Sequence, residues 1–510
     1  MSREIHMKRN DFDKQQMTNK ANNKPSIVDE YDVANLDMTN NNKSINSDLY
    51  QAMFPIYHIS KLSGVFSIRF IRQVSGRYQG RLSIIDSVYS LCLLVCLISS
   101  YIWNLWCGGL EFLRHGWEYS KRLNFQNIAI ATTTTYMVGV ISLTVASIIS
   151  SILRWQQVLT VIDILVDCDE KLGIFSPKKL QWCTILLTLC TLSYSIILSC
   201  LDEYAWDYKV EQNKKLDIKD TLNYLPLYIM YIVNIMMEVQ YTMIVYNVGQ
   251  RFCRVNKSIE NIKSGKITNQ FRRDLRLAGN FQDQGLFSYI GQKIMGNTRM
   301  FRKSKIIDST ITNDGRNFTN SISKLVTVHE SLCDTISLIN SAYGVVVLAI
   351  TITCLINLII TPYFLIMETN ERLETLFLVV QILWCIFHIW RLLMVVQPAY
   401  ATTMQGKKTA VLVSQLLSAS HDKKEVKQLE IFLLQLLHRP LEFSACGFFT
   451  LDRTLLTSIV GTVTTYLVIL IQFQKEDDKK DSVNDILQNA TQILKNATTL
   501  HNMTVGRLGL

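Results

Sequence analysis

Near the C-terminus, three residues within one apolar run have side chains that suit a water-filled pore. Gly461, Thr465 and Gln472 recur at intervals of four and seven, so they share one face of a helix, and Ser458 falls on the same face. Small and hydroxyl side chains in a membrane helix either allow close helix packing or face water. The periodicity leaves both open: a pore lining, or a packing interface inside one subunit.

A second group of polar and aromatic residues falls near the expected outer ends of three other helices. They are Gln381, Trp384 and His388 (i, i+3, i+7), Tyr224, Tyr228 and Tyr231 (i, i+4, i+7), and Thr361 and Tyr363 beside Pro362. Amide, hydroxyl and imidazole groups pair with sugar hydroxyls, and aromatic rings stack on the C–H faces of a sugar. A site built for hydroxyls rejects ligands that lack them, because its own polar groups would be left unpaired. The alternative is structural, since aromatic residues are enriched at membrane interfaces in any case.

Two charged residues lie within apolar runs. Glu238 and Arg391 are expected in the inner half of the membrane, held by a salt bridge or a water-filled vestibule, and neither is assigned to the ligand. The 12 cysteines form no CxxC pair and no Cys/His cluster with metal spacing, so no metal or other cofactor is expected. Cys107 and Cys200, near outer helix ends, are candidates for a disulfide.

Long apolar runs position all of these residues. The chain has 510 residues, of which 48% are hydrophobic and only 7 are proline. Runs of about 20 apolar residues are typical of transmembrane helices. Seven are predicted, at residues 83–106, 128–152, 180–201, 222–248, 336–367, 373–400 and 455–473. The sequence therefore predicts an all-α integral membrane protein with seven transmembrane helices.

The distribution of charge predicts how these helices are oriented. Lys and Arg outnumber Asp and Glu in residues 251–330, whereas residues 202–220 are acidic overall. By the positive-inside rule, the N-terminus and residues 251–330 are cytoplasmic, and seven spans place the C-terminus outside the plasma membrane. Glycosylation sequons at Asn489, Asn496 and Asn502 agree with an outer tail. The net charge of +10 is thus explained by topology, and nucleic acid is not an expected partner.

The remaining segments complete the predicted organisation. Polar, Asn-rich residues 1–60 are expected to form a disordered cytoplasmic arm. Residues 426–437 carry a broad apolar stripe and precede Pro440, which predicts an amphipathic cytoplasmic helix that needs a partner. The predicted parts are the arm (1–60), helices one to four with an inner extension (61–262), a basic cytoplasmic loop (263–320), helices five and six (321–400), cytoplasmic anchor helices (401–450), the pore-lining helix (451–474) and an extracellular tail (475–510).

One short motif carries a resemblance to a known family. Thr465-Tyr466, five apolar residues and then Gln472-Phe473 resemble the C-terminal motif of insect gustatory receptors, as does the preceding stretch from His438. The resemblance implies the insect chemoreceptor ion channel fold, with a cytoplasmic N-terminus. It covers residues 80–474, and the N-terminal arm and the C-terminal tail have no counterpart in it.

The resemblance also implies a function. Members of this family are ligand-gated, nonselective cation channels that pass Na⁺, K⁺ and Ca²⁺. Four subunits surround one pore, as a homotetramer or as a heterotetramer with related receptors. Gln472, Phe473, Thr465 and Gly461 would then form the pore and gate. Thr361, Tyr363, Gln381 and Trp384 look like sugar-contacting positions of the fructose-type receptors, to which we add His388 and Tyr228 as ligand-binding candidates.

Five alternatives can be compared at this point. A bitter-compound receptor would share the C-terminal motif and an aromatic pocket. A G-protein-coupled receptor is disfavoured because its N-terminus lies outside, and because no Asp-Arg-Tyr follows helix three and no Asn-Pro-x-x-Tyr ends helix seven. A transporter lacks the expected internal repeats, and no enzyme motif is present. An obligate co-receptor subunit is possible within the family.

Overall fold

The structure, a computed structural model, describes residues 49–72, 78–104, 106, 123–173, 177–212, 225–278, 315–368, 375–439 and 441–508. These residues form ten helices and four short strands. In chain order they are α1 (Leu49–Leu62), β1 (Ile68–Arg72), β2 (Tyr78–Leu82), α2 (Ile84–Asn104), α3 (Leu123–Leu153), α4 (Trp155–Leu172), α5 (Pro177–Gln212), α6 (Leu225–Ala278), α7 (Gly315–Glu368), α8 (Thr375–Ser418), α9 (Lys423–His438), β3 (Ser444–Ala445), β4 (Phe449–Thr450) and α10 (Arg453–Leu508).

Seven of the described helices are long and apolar enough to cross a membrane, as the sequence predicts. They are α2, α3, α5, α6, α7, α8 and α10. Helices α6 and α7 each run for 54 residues, about 80 Å, so both extend well beyond the membrane. The extensions expected after the fourth span and before the fifth are therefore helical. Most of the arm and residues 279–314 of the basic loop lie outside the described residues.

Three elements near the N-terminus and after the second span differ from expectation. Residues 49–60, expected to be disordered, belong to α1, whose Met53 and Ile56 side chains are buried. The hairpin β1–β2 follows, with Phe70 opposite Gly80. Helix α4 is amphipathic and lies outside the spans, and the buried Asp169 near its end pairs with Arg251 and Arg254 of α6. Burial raises the pKa of Asp169, and Arg251 opposes this by stabilising the carboxylate.

Helix α6 forms the centre of the bundle. Its membrane window is 83% buried, and it contacts α3, α5, α7 and α8. Its own buried polar residues change in type along its length, from tyrosines near its start to Asn247, Arg251 and Asn256 further on. Asn256, the first residue of the sequon Asn256-Lys-Ser258, is buried and donates to the Gln405 carbonyl oxygen at 2.9 Å, so a glycan cannot reach it.

The amphipathic helix predicted at residues 426–437 is α9. Asp422 caps its start by accepting a hydrogen bond from the Lys424 amide at 3.2 Å. Leu429 and Phe432 are buried against α7 and α8, and the ring of Phe432 contacts that of His329. Ile431, Leu434 and Leu437 of the same stripe are exposed. One chain therefore leaves part of the apolar surface of α9 uncovered.

A tight turn connects α9 to the last helix. Strands β3 and β4 pair across Cys446 and Gly447, both of which have positive φ. The turn contacts α7 so closely that a Cβ on Gly344 would lie 3.1 Å from the backbone nitrogen of Cys446. Only glycine allows this approach without displacing the turn.

Helix α10 extends further than the sequence analysis proposed. It does not end near Phe473 but continues to Leu508, because no proline or glycine interrupts residues 462–505. Its membrane window, Arg453–Gln472, is only 6% buried in the single chain. The predicted extracellular tail is thus a helix continuous with the predicted pore helix.

Candidate functional site

An aromatic and polar cluster lies where α5, α6 and α8 meet. Trp384 of α8 is its centre and is 6% exposed. Its ring lies 5.1 Å from the ring of Tyr231 and is stacked on His388 at 5.7 Å. The structure therefore brings together two predicted ligand residues of α8 with a tyrosine face of α6.

Hydrogen bonds tie this cluster to two neighbouring helices. The Tyr228 hydroxyl donates to the Asp202 carboxylate of α5 at 2.7 Å, and Asp202 also interacts with the Trp384 side chain. The Tyr231 hydroxyl is bonded to the hydroxyl of Tyr136 on α3. Phenol, indole and carboxylate groups thus surround the same apolar rings, which is the chemistry needed to bind a ligand with hydroxyls.

The expected salt bridge between the two charges within the membrane is present and lies next to the aromatic cluster. Arg391 and Glu238 are both fully buried, and Nε of Arg391 donates to the two carboxylate oxygens at 3.0 and 3.1 Å. The guanidinium also lies over the Tyr231 ring at 5.7 Å. The ion pair joins α6 to α8 directly beneath the aromatic residues.

Several buried polar atoms in this region have no hydrogen-bond partner among the described residues. They are both side-chain polar atoms of Asn357, Nδ1 of His388, Nη1 of Arg391 and Oδ1 of Asn234. An unpaired buried polar group costs about 1–3 kcal/mol. Groups left in this state in a membrane-embedded core are suited to binding a polar molecule.

The other predicted ligand residues lie on α7 and on the first turns of α8. Thr361 and Tyr363 are buried at 7% and 1% exposure, and Thr361 is one turn above Asn357. Gln381, one turn before Trp384, is half-buried and makes no hydrogen bond to a described residue. These positions point to the same end of the bundle, but their role in binding stays a prediction.

Three residues of the cluster were not identified from the sequence. The sequence identifies Asp202 only as the first residue of an acidic loop, and Tyr136 belongs to no polar spacing pattern. Asn357 is an isolated amide in an apolar span, and such residues are functional candidates by default. That signal, together with its position four residues before Thr361, was sufficient to find it.

A pocket lies elsewhere, lined by Ser67, Ser150, Arg154 and Gln240 among others. Tyr136 lies on α3 and Arg154 directly follows its end, so 18 residues, or about 27 Å of helix, separate the two. The pocket is therefore near the opposite membrane face from the aromatic cluster.

The predicted pore residues lie on the exposed surface of α10. Gly461, Thr465 and Gln472 are exposed, and the side chain of Phe473 lies outside the described residues. The hydroxyl of Thr465 donates to the Gly461 carbonyl oxygen at 2.9 Å, and those of Ser458 and Thr462 donate in the same way. These hydroxyls are satisfied within the helix, so their oxygens can still accept hydrogen bonds from water.

The start of α10 is fixed by a cap and by contact with α8. Asp452 accepts hydrogen bonds from the backbone N–H groups of Thr454 at 2.9 Å and Leu455 at 3.2 Å. The Thr454 hydroxyl is the main cause that lowers the pKa of Asp452. Arg453 lies over the ring of Tyr400 on α8 at 4.5 Å.

The segment before α10 is bonded to α7. The Asn340 amide donates to the Glu442 carbonyl oxygen at 2.8 Å and accepts from the Ser444 N–H at 3.1 Å. Helix α7, which also packs on α8, carries the buried Asn357 and Thr361 further along the chain. One helix therefore contacts both α8 and the connection to α10.

Comparisons with known proteins agree with this architecture. The chain is 27% identical over 439 residues to the gustatory receptor for sugar taste 43a of Drosophila melanogaster, covering 84% of this chain and 99% of that receptor. It is 25% identical over 158 residues to the Drosophila gustatory receptor for bitter taste 66a, covering 30% of each protein. Its fold matches the olfactory receptor OR5 of Machilis hrabei with a TM-score of 0.55 at 15% identity, covering 83% of this chain and 98% of that structure.

The family assignment rests on a match to a family model that covers most of the chain. The sequence model of the 7tm chemosensory receptors matches residues 53–477, which include all seven spans and the C-terminal motif. The resemblance to insect chemoreceptors is confirmed, and the family is one of receptors rather than enzymes. The chain belongs to the 7tm chemosensory receptor family.

Proposed function

We propose that this chain is a gustatory receptor of the plasma membrane that opens as a ligand-gated, nonselective cation channel when it binds a sugar such as fructose. The observation that carries the proposal is the cluster of Trp384, Tyr231, Tyr228 and Asp202, in which stacking surfaces and hydroxyl partners face one another. The similarity to a receptor named for sugar taste supports the same ligand class.

The unpaired polar atoms near the cluster make a hydroxylated ligand the better fit. A monosaccharide can pair with Asn357 and Nδ1 of His388, which have no hydrogen-bond partner among the described residues. A purely apolar bitter compound would leave them unpaired, at about 1–3 kcal/mol for each group. Bitter compounds are the second candidate, supported by the shorter match to a bitter-taste receptor.

A channel requires several copies of the chain around α10. In the single chain the membrane window of α10 is 6% buried, and Ile431, Leu434 and Leu437 of α9 are exposed. In a tetramer, homomeric or with related receptors, α9 and its neighbours hold the subunits together. Four copies of Gln472 then surround the outer pore, with Thr465 and Gly461 below and Phe473 beside it. Neutral amides discriminate weakly among Na⁺, K⁺ and Ca²⁺.

Ligand binding is transmitted through α7. A ligand between Thr361 and Trp384 changes how α7 packs on α8, and Asn340 on α7 holds the segment that leads into α10. Movement of α7 therefore moves the start of the pore helix. In this proposal the N-terminus is cytoplasmic and the C-terminus extracellular, as the distribution of Lys and Arg predicts.

Whole-cell current from cells expressing this chain alone tests the proposal. We expect an inward cation current with fructose that Trp384→Ala shifts to roughly tenfold to hundredfold higher concentration, since stacking and a polar contact are lost. The matched control is Trp390→Ala on the same helix, because Trp390 is exposed and contributes nothing to the cluster.

The outcomes separate the parts of the proposal. A current with bitter compounds but not with sugars contradicts the sugar assignment and retains the channel. Equal effects of Trp384→Ala and Trp390→Ala, at equal surface expression, contradict the assignment of the site. Closed channels with every ligand, in cells that deliver the chain to the surface, contradict function as a receptor of one chain type.

A further inference from the structure

The C-terminal part of α10 has no role in the proposed channel. The helix continues to Leu508, whereas the membrane window ends at Gln472 and the family match ends at residue 477. We call residues 483–500 the distal segment. It is an integral part of one 56-residue helix.

The distal segment has a regular heptad pattern. With Val483 at position a, apolar residues occupy positions a, d and e in succession, and polar residues occupy most of the others. Position a is Val483, Ala490 and Ala497; position d is Ile486, Ile493 and Leu500; position e is Leu487 and Leu494. A stripe of this width is typical of a helix packed among several others.

Those members of the stripe whose side chains the structure describes are solvent-exposed in the single chain. Val483, Leu487, Ile493 and Leu494 are 54–71% exposed, and every residue from 487 to 495 is exposed. Four large aliphatic side chains on one face of a helix in water form a binding surface, since removal of apolar surface from water is favourable and exposed apolar patches mark interaction sites.

Two possible occupants are excluded by geometry. The distal segment cannot lie on the lipid surface, because no proline or glycine between residues 462 and 505 lets the helix turn aside after it leaves the membrane. Seven spans place the N-terminal arm on the opposite side of the membrane from the distal segment. The occupant that remains for this apolar surface is the same segment in other copies of the chain.

The pattern is also in phase with the predicted pore face. Ser458, Thr465 and Gln472 are separated by seven residues, and two further heptads lead from Gln472 to Ile486 and then to Ile493 and Leu500. The face that lines the pore in the proposed channel is therefore the face that carries the apolar d positions above it. A straight helix drifts by about 20° per heptad from this repeat, which a left-handed supercoil removes.

We infer that the distal segments of neighbouring subunits form a parallel coiled coil on the pore axis, beyond the outer mouth of the channel. The inference rests on the proposed tetramer. Isoleucine at position d and an apolar position e favour assemblies of more than two helices. Alanine at two of the three a positions lets the helices approach closely.

The heptad between the pore and the coiled coil has a different character. Residues 476–482 carry Glu476, Lys479 and Lys480 at positions a, d and e. Like charges at these positions repel across a symmetric axis, so the helices do not pack there. About 16 Å of helix separates Gln472 from Val483, and this charged interval leaves side openings through which ions enter below the coiled coil.

Disulfide trapping in the full-length chain in membranes tests the inference. Ile493→Cys places a thiol at position d, and Gln488→Cys places one at position f on the outer face of the same segment. Both leave the three tail sequons intact, and the native chain, with its 12 cysteines, sets the background. Under mild oxidation we expect roughly tenfold more inter-subunit disulfide from Ile493→Cys than from Gln488→Cys, since only core positions approach disulfide geometry.

The native mass of the detergent-solubilised complex is measured in parallel. A tetramer in which both cysteine variants cross-link equally overturns the coiled coil and leaves the proposed channel standing. A monomer overturns both. A tetramer with selective trapping supports the coiled coil. We further expect that a chain ending at Asp478 keeps its ligand-gated current while its tetramer dissociates at lower temperature.

Discussion

The buried ion pair between Arg391 and Glu238 gives the sharpest test of the bundle's energetics. Both side chains are fully buried, and three nitrogen–oxygen contacts connect them. Replacing Glu238 with Gln preserves shape but leaves the arginine charge uncompensated at a fully buried position. Removing one partner of such a pair destabilises by about 3–5 kcal/mol.

The double variant separates the charge from the packing. Glu238→Gln and Arg391→Met each remove one charge, whereas together they remove both and leave no buried ion. Replacement of a whole buried pair by neutral groups is often close to neutral in free energy. We therefore expect the double variant to unfold later than either single variant, with a coupling free energy of at least about 2 kcal/mol.

Thermal unfolding of the detergent-solubilised chain, followed by size-exclusion chromatography, ranks the four proteins. Additive losses, with the double variant the least stable, would refute the reasoning that desolvated charge dominates this site. A matched control is Lys408→Gln, since Lys408 pairs with Glu260 through exposed side chains. Such surface pairs contribute about 0–1 kcal/mol, so this change has little effect.

Two further predictions concern α10. Asp452→Ala removes the cap and lowers stability by about 1 kcal/mol, whereas Asp452→Asn retains the cap. Because hydrogen bonds from Thr454 lower the pKa of Asp452, the difference in stability between the native chain and Asp452→Ala is full above about pH 4 and is lost as the pH falls further. Unfolding followed at several pH values measures this difference. Gln472→Glu places four carboxylates at the pore mouth, and we expect it to raise Ca²⁺ permeability relative to Na⁺ in reversal-potential measurements. The control Gln474→Glu, two residues further along the helix and on a different face, has a smaller effect. Equal effects of the two substitutions would contradict the placement of Gln472 in the pore.

Hydrophobic run length was sufficient to predict the spans, because only helices of about 20 apolar residues or closed barrels can cross a bilayer. The amphipathic helix α9 was also predictable from its apolar stripe, and Leu429 and Phe432 lie on its buried side. The β1–β2 hairpin was not, since its five-residue strands are shorter than any reliable periodic signal.

The candidate site was predicted only in part. Spacing along one helix finds faces, so Trp384 and His388 were identified as a pair, and the stacking of their rings agrees. Contacts between helices are not encoded in spacing. The pairing of Tyr228 with Asp202 and of Tyr231 with Tyr136 depends on how α3 and α5 pack around α6, which no single helical pattern specifies.

The close contact at Gly344 gives α7 a mechanical character. The backbone of the β3–β4 turn contacts α7 at that residue, and Asn340, one turn before it, is bonded to the same segment. Because the two backbones are already in contact, α7 cannot approach the turn any further without displacing it. Thr361 lies about 26 Å further along the same helix. In the proposed channel, a ligand near Thr361 would thus act on the start of α10 along the axis of a single helix.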